Sequence, residues 1–139
     1  MERLVIYTDE IAVIQYISDI ESIFIHWIAN PSIEQYIRIF TVCLEYQQNC
    51  SNPIVNFMSD IKMQGFVGVE ARKWFERVAL PRAVSQGLKR AAVIYDGSIF
   101  KKYYLKIILY ASRRHNLALK LFTKEDEALN WISSYYQPS

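Results

Sequence analysis

Residues 60–94, DIKMQGFVGVEARKWFERVALPRAVSQGLKRAAVI, decide the fold of this 139-residue chain. Asp60 closes an apolar run, Gly65 and Gly68 punctuate a loop, and Val67, Ala71, Trp74, Phe75 and Val78 then recur on one side of a helix. Pro81 has no backbone donor and crowds the preceding turn, so the helix is expected to end or kink there. Residues 82–86 add one more turn, which Gly87 closes as a left-handed cap. In residues 88–95 the sequence Ala91-Ala92-Val93-Ile94 is the near-continuous apolar run of a strand buried on both faces. Strand, helix, strand in this order implies parallel neighbours joined by a right-handed crossover.

The pattern continues on the C-terminal side. Asp96-Gly97-Ser98 turns into a helix reaching about Arg114, whose core face is expected to be Ile99, Phe100, Tyr103, Tyr104, Ile107, Ile108 and Ala111. Residues 117–122 read as the last strand. Thr123 with Asp126 is expected to cap a final helix carrying Ala128, Leu129 and Ile132.

On the N-terminal side, residues 4–8, 11–16 and 22–28 are rich in Ile, Val and aromatics and are separated by acidic or polar turns, which reads as an antiparallel meander. The third is apolar on both faces and is expected to be central. Ser32 and Gln35 have the spacing of a capping box, opening a helix with Ile33, Tyr36, Ile37, Phe40 and Leu44 on its core stripe. A second row, Ile39, Val42 and Tyr46, falls roughly opposite. It is either scattered surface apolar area, which is common, or a contact surface for a second copy or a partner. The whole reads as one α/β domain over residues 1–139: a mixed sheet of about six strands, an antiparallel meander followed by parallel strands in βαβα order, flanked by about four helices.

Composition narrows the function classes. The chain is 52% hydrophobic and 22% charged, which suits a packed core, and its net charge of +2 does not argue for nucleic acid. Cys43 and Cys50 are the two cysteines, too few for a disulfide framework or a zinc cluster, and read as reduced thiols. No secretory leader is evident after Met1-Glu2-Arg3, and no apolar run approaches the roughly 20 residues that span a bilayer, so a soluble cytoplasmic protein without a metal or cofactor is expected.

Asp60, Trp74 fourteen positions on, and Pro81-Arg82-Ala83 seven beyond that, followed by Gly87, Lys89, Arg90, the strand at 91–94 and the closing Glu127-Ala128-Leu129-Asn130-Trp131-Ile132, together resemble the STAS-like superfamily. The likeness is nearest to the small stand-alone bacterial proteins described as STAS/SEC14 domain-containing, or SpoIIAA-like, anti-sigma-factor-antagonist-like. The resemblance implies a mixed sheet flanked by helices and, in signalling members, a seryl or threonyl acceptor at the start of the helix after the Asp-bearing strand. A phosphate there would sit at a helix N-terminus and change a binding face by nearly two charges. That position falls at about Val69, and residues 61–74 contain no Ser or Thr, so the usual phospho-switch is not expected.

Among polar residues, Asp60, Lys62 and Ser98 are the candidates for a ligand site, because open α/β sheets bind ligands beyond the carboxyl ends of their strands. Asp60 and Ser98 are equally well placed as caps of a loop and a helix. Trp74 and Phe75 are candidate walls of an apolar pocket, and packing accounts for them as well. His26, flanked by Ile25 and Trp27, has no nucleophile or carboxylate near it in sequence. Lys102, Lys106 and Arg113 form a basic stripe on one helix, either a solvated face or a surface for anionic lipid or an acidic partner. A non-catalytic module follows, working through a homodimer or a regulatory protein. A small apolar or lipid ligand is the alternative.

Overall fold

The computed structural model describes residues 1–136. Six strands, β1 (Leu4–Thr8), β2 (Ala12–Ile17), β3 (Ser22–Trp27), β4 (Asn56–Asp60), β5 (Arg90–Ile94) and β6 (Ala118–Phe122), form one sheet in sequential order. The β1–β2 and β2–β3 pairs are antiparallel, and β3 to β6 run parallel. The meander, the central third strand and the parallel half are as the sequence indicates.

Consecutive parallel strands laid side by side require every crossover to pass the same face. Accordingly α1 (Ile33–Asn49), the long helix between β4 and β5, and α4 (Ile99–Arg114) pack on one side, over Ile25, Phe57, Ala91 and Val93. The helix α5 (Glu125–Ser133) covers the other side, where Phe24, Met58, Ala92 and Ile94 meet Ala128 and Ile132. Strand alternation thus splits β4 cleanly: Phe57 points to the three-helix side, Met58 to α5.

Ser32 opens α1 with the expected capping box, its Oγ accepting from Gln35 N while Gln35 Oε1 accepts from Ser32 N. The buried arc of α1 is wider than expected. Ile39 is fully buried, and Val42 and Tyr46 pack half-buried against the core, with the Tyr46 ring 5.4 Å from that of Tyr16. The row Ile39, Val42 and Tyr46 is therefore not an outer contact surface. Two structures cover α1, the sheet beneath it and the neighbouring helix beside it, so both apolar rows find partners.

The helix after β4 does not stop at Pro81. It runs as α2 (Val69–Trp74), a π-turn over Phe75–Ala79, and α3 (Leu80–Ser85). In the wide turn the Leu80 amide donates to the Phe75 carbonyl, five residues back. This shifted ladder lets the chain enter Pro81 at the N-terminal end of a fresh helical segment, where a missing donor costs little. Gly87 then closes it at φ +113°, with its amide donating to Val84 and that of Leu88 to Ala83.

Two further expectations are corrected. In α4 the buried residues are Leu105, Ile108, Ala111 and Ser112, while Ile99, Phe100 and Tyr103 stand in solvent. That helix has two apolar arcs, and the aliphatic one lies against the sheet because its small and branched side chains permit close approach. At α5, Lys124 rather than Thr123 is the N-cap and makes no side-chain cap bond; Asp126 accepts only from the adjacent Glu127 amide.

Candidate ligand cleft

The loop between β4 and α2 and the first turn of α4 face each other beyond the carboxyl ends of the parallel strands. Between them lies a cleft of about 510 Å³, walled by Phe66, Val67 and Arg72 on one side and by Ser98, Phe100 and Tyr103 on the other. Beneath it an apolar cavity of about 80 Å³ runs between the helices and the sheet, lined among others by Phe40, Phe57, Phe75 and Ala91. Ile61, Gln64 and Tyr104 belong to both linings, so they form the floor of one and the mouth of the other.

The loop is held in place by charge. Lys101, in the first turn of α4, donates from Nζ to the carbonyl oxygens of Ile61 at 2.8 Å and Lys62 at 2.9 Å, and its ammonium lies 3.8 Å from Asp96 Oδ2. Gly65 turns the loop at φ +75°, and a Cβ there would stand 3.0 Å from Asn30 Oδ1. Glycine is required by both conformation and space.

The polar groups at the cavity mouth are few. Gln64 is only 4% exposed. Burial raises the phenols of Tyr36 and Tyr104 above the ordinary 10.0, Tyr36 well above, and after burial the strongest influences are the two hydroxyls acting on one another. The charge of Glu76 acts on both rings, and among the described residues nothing donates to its buried Oε1. Glu76 stands in the π-turn, a local widening often found at functional sites.

The sequence-derived candidates do not converge. Phe75 lines the cavity; Trp74 instead packs on Tyr36 and Phe40, with ring centroids at 6.2 Å and 6.4 Å. Ser98 lines the cleft, with its hydroxyl accepting from Lys101 N as a helix cap and its amide donating to Asp96 Oδ1. Asp60 faces the opposite side of the sheet. It pairs in register with His26, accepts from the Lys62 amide, and has Lys62 Nζ 3.6 Å away.

On that opposite face His26, Asp60 and Glu125 bring potential ligand atoms within 4.8 Å of one another, the kind of set that holds a divalent cation. Each already has a partner: Arg3 pairs with Glu125 at 3.1 Å, Lys62 with Asp60, and Gln15 Oε1 meets His26 Nε2 at 2.8 Å. Burial holds the His26 pKa below 6.5 against the pull of both carboxylates, and its ring stacks on Phe24 at 4.0 Å.

The lining residues missed in sequence are Ile61, Gln64, Phe100, Tyr103 and Tyr104. The available signal was in α4, where Ile99, Tyr103, Lys106, Tyr110 and Arg113 recur at spacings of four and three on an arc distinct from that of Leu105, Ile108 and Ser112.

The antiparallel start, sequential parallel half and four-helix cover are those of a SpoIIAA-like fold. A solved structure described as an uncharacterized protein from the DUF3478 family with a SpoIIAA-like fold, from Shewanella loihica PV-4, is similar to it at a TM-score of 0.60 and 14% identity, over 94% of this chain and 92% of that one. No protein-family model matches the sequence, and no curated protein matches it. The helix that follows β4 starts at Val69 behind Gly68, whose cap position carries no side-chain bond.

Proposed function

We propose that the protein is a non-catalytic binding module whose ligand is a small molecule with an apolar body and a polar head. The observation that carries this reading is the cleft of about 510 Å³ adjoining an apolar cavity of about 80 Å³. The cleft falls within the roughly 300–1,000 Å³ typical of ligand sites, and few polar groups interrupt an otherwise aromatic and aliphatic lining. The cavity alone is smaller than the roughly 150 Å³ that accommodates benzene, so the ligand body lies in the cleft and only its narrow end enters below. Tyr104 and Gln64, which line both spaces, support a polar head held where the two meet.

Binding of cis-parinaric acid, followed by its fluorescence, tests the reading, with native mass spectrometry of the purified protein as a second measurement. Saturable enhancement that Val67→Lys weakens at least tenfold is expected, or a retained adduct of acyl or aromatic mass. No enhancement at 50 μM protein together with an unadducted mass would overturn it.

A further inference from the structure

The outward face of α4 belongs neither to the core nor to the cleft floor. Its 16 residues carry Lys101, Lys102, Lys106, Arg113 and Arg114 and not one acid, although the whole chain nets only +2, so the remainder of the molecule is acidic. Lys101 is spent on the loop. The other four are exposed, and among the described residues none makes an ion pair.

Interleaved with these cations are Ile99 at 82% exposure, Phe100 at 89%, Tyr103 and Tyr110. The positions 99, 103, 106, 110 and 113 make one stripe along a helix about 24 Å long. From across the cleft, Phe66 reaches the same rim with 77% of its surface in solvent. Asp96, at the N-terminal end of this helix, is engaged by Ser98 and Lys101.

We propose that this face docks on the surface of an anionic phospholipid bilayer, with Lys102, Lys106, Arg113 and Arg114 on the headgroups and Phe66, Ile99, Phe100 and Tyr103 entering the interface. Charge complementarity selects the occupant. A two-fold contact with a second copy would set the same unpaired cations against themselves. Clustered cations draw the helix to a negative surface, while aromatic rings and stems with polar tips settle at headgroup depth, the combination that holds amphipathic helices in the interface plane. An acidic protein would satisfy the cations but offers no reason for bulky apolar side chains to project from two separate elements around one cleft mouth. The docking stands whether or not the cleft takes a ligand.

Sedimentation with phosphatidylcholine vesicles, with and without 30% phosphatidylglycerol, is the test. Binding to the anionic vesicles alone is expected, falling at least tenfold between 50 and 300 mM salt. Lys102→Glu with Lys106→Glu should abolish it with the circular dichroism unchanged. Phe100→Ser with Tyr103→Ser should weaken it about tenfold without altering the salt dependence. No wild-type binding to anionic vesicles at 50 mM salt, or undiminished binding by the charge-reversed variant, overturns the proposal. Equal affinity for soluble polyglutamate at matched charge also overturns it, in favour of an acidic protein partner. Parinaric acid binding, measured without vesicles, is expected to be unchanged in Lys102→Glu/Lys106→Glu, so failure of either reading is seen separately.

Discussion

The Lys101 ammonium lies 2.8 Å from the carbonyl oxygen of Ile61, tying the first turn of α4 to the strand end from which the cleft loop departs. Because the same nitrogen reaches Lys62 O, one cation satisfies two carbonyls that would otherwise face the cleft edge. Charge-assisted bonds of this kind contribute about 1.5–3 kcal/mol each when well shielded, and less here because Lys101 is partly exposed.

Lys101→Met should therefore release the loop before it destabilises the fold. Hydrogen exchange of the amides at 62–68 is expected to accelerate by about tenfold, with exchange in β3 and β4 unchanged. Uniform protection across the loop in the variant would contradict the tether.

Gly65→Ala attacks the same loop through its backbone. The positive φ and the 3.0 Å approach to Asn30 together predict a loss of about 1–2 kcal/mol by urea denaturation, beyond the usual benefit of replacing glycine.

Gln47 is a polar residue buried between helices. Its Nε2 donates to the carbonyls of Ile54 and Ala83, and its Oε1 accepts from Gln86 at 2.7 Å. Gln47→Leu takes the side-chain donor from the Ile54 carbonyl and leaves Ala83 O with only the Leu88 amide and Gln86 Nε2 with only Leu44 O, and a loss of about 1–3 kcal/mol is expected, because buried polar groups then lose water without full replacement. A lower urea midpoint at unchanged m-value is the measurement.

Asp9 supplies a pH dependence of known sign. Partial burial raises its pKa, but the amides of Ile11 and Ala12, the Tyr7 hydroxyl and Arg38 together outweigh that and hold it at about 2, below the ordinary 3.8. A depressed folded pKa contributes stability that is complete above the unfolded value and is lost as pH falls through the folded one. Stability should decline between about pH 5 and 2. Asp9→Asn should flatten that decline when denaturation midpoints are compared across the range.

How far the sequence could be read depended on whether a feature is local. The Ser32–Gln35 capping box, the Gly87 cap and the alanine-valine strand carry their own geometry, and element order with them implied the parallel half of the sheet. Which arc of a helix faces inward is a tertiary choice. In α1 both apolar rows are covered, and in α4 the aromatic row lost to the aliphatic one, so Ile39 and Phe100 exchanged their expected environments. The cleft assembles from residues 61–67 and 98–104, brought together by pairing of β4 with β5. The facing of Asp60 away from Phe75 follows from a strand period that sequence shows only once the register is known.

The wide turn at 75–79 holds one residue more than a regular helix would place between its ends, so its register encodes an insertion. Removing a single residue there would restore an ordinary ladder and leave the segments on either side near their present facing. The change would be felt inside the turn, at Glu76 and its neighbours Tyr36 and Tyr104, and less at Trp74. Length in this segment can therefore change by one residue without repacking the helix ends, which is not so for the regular turns on either side.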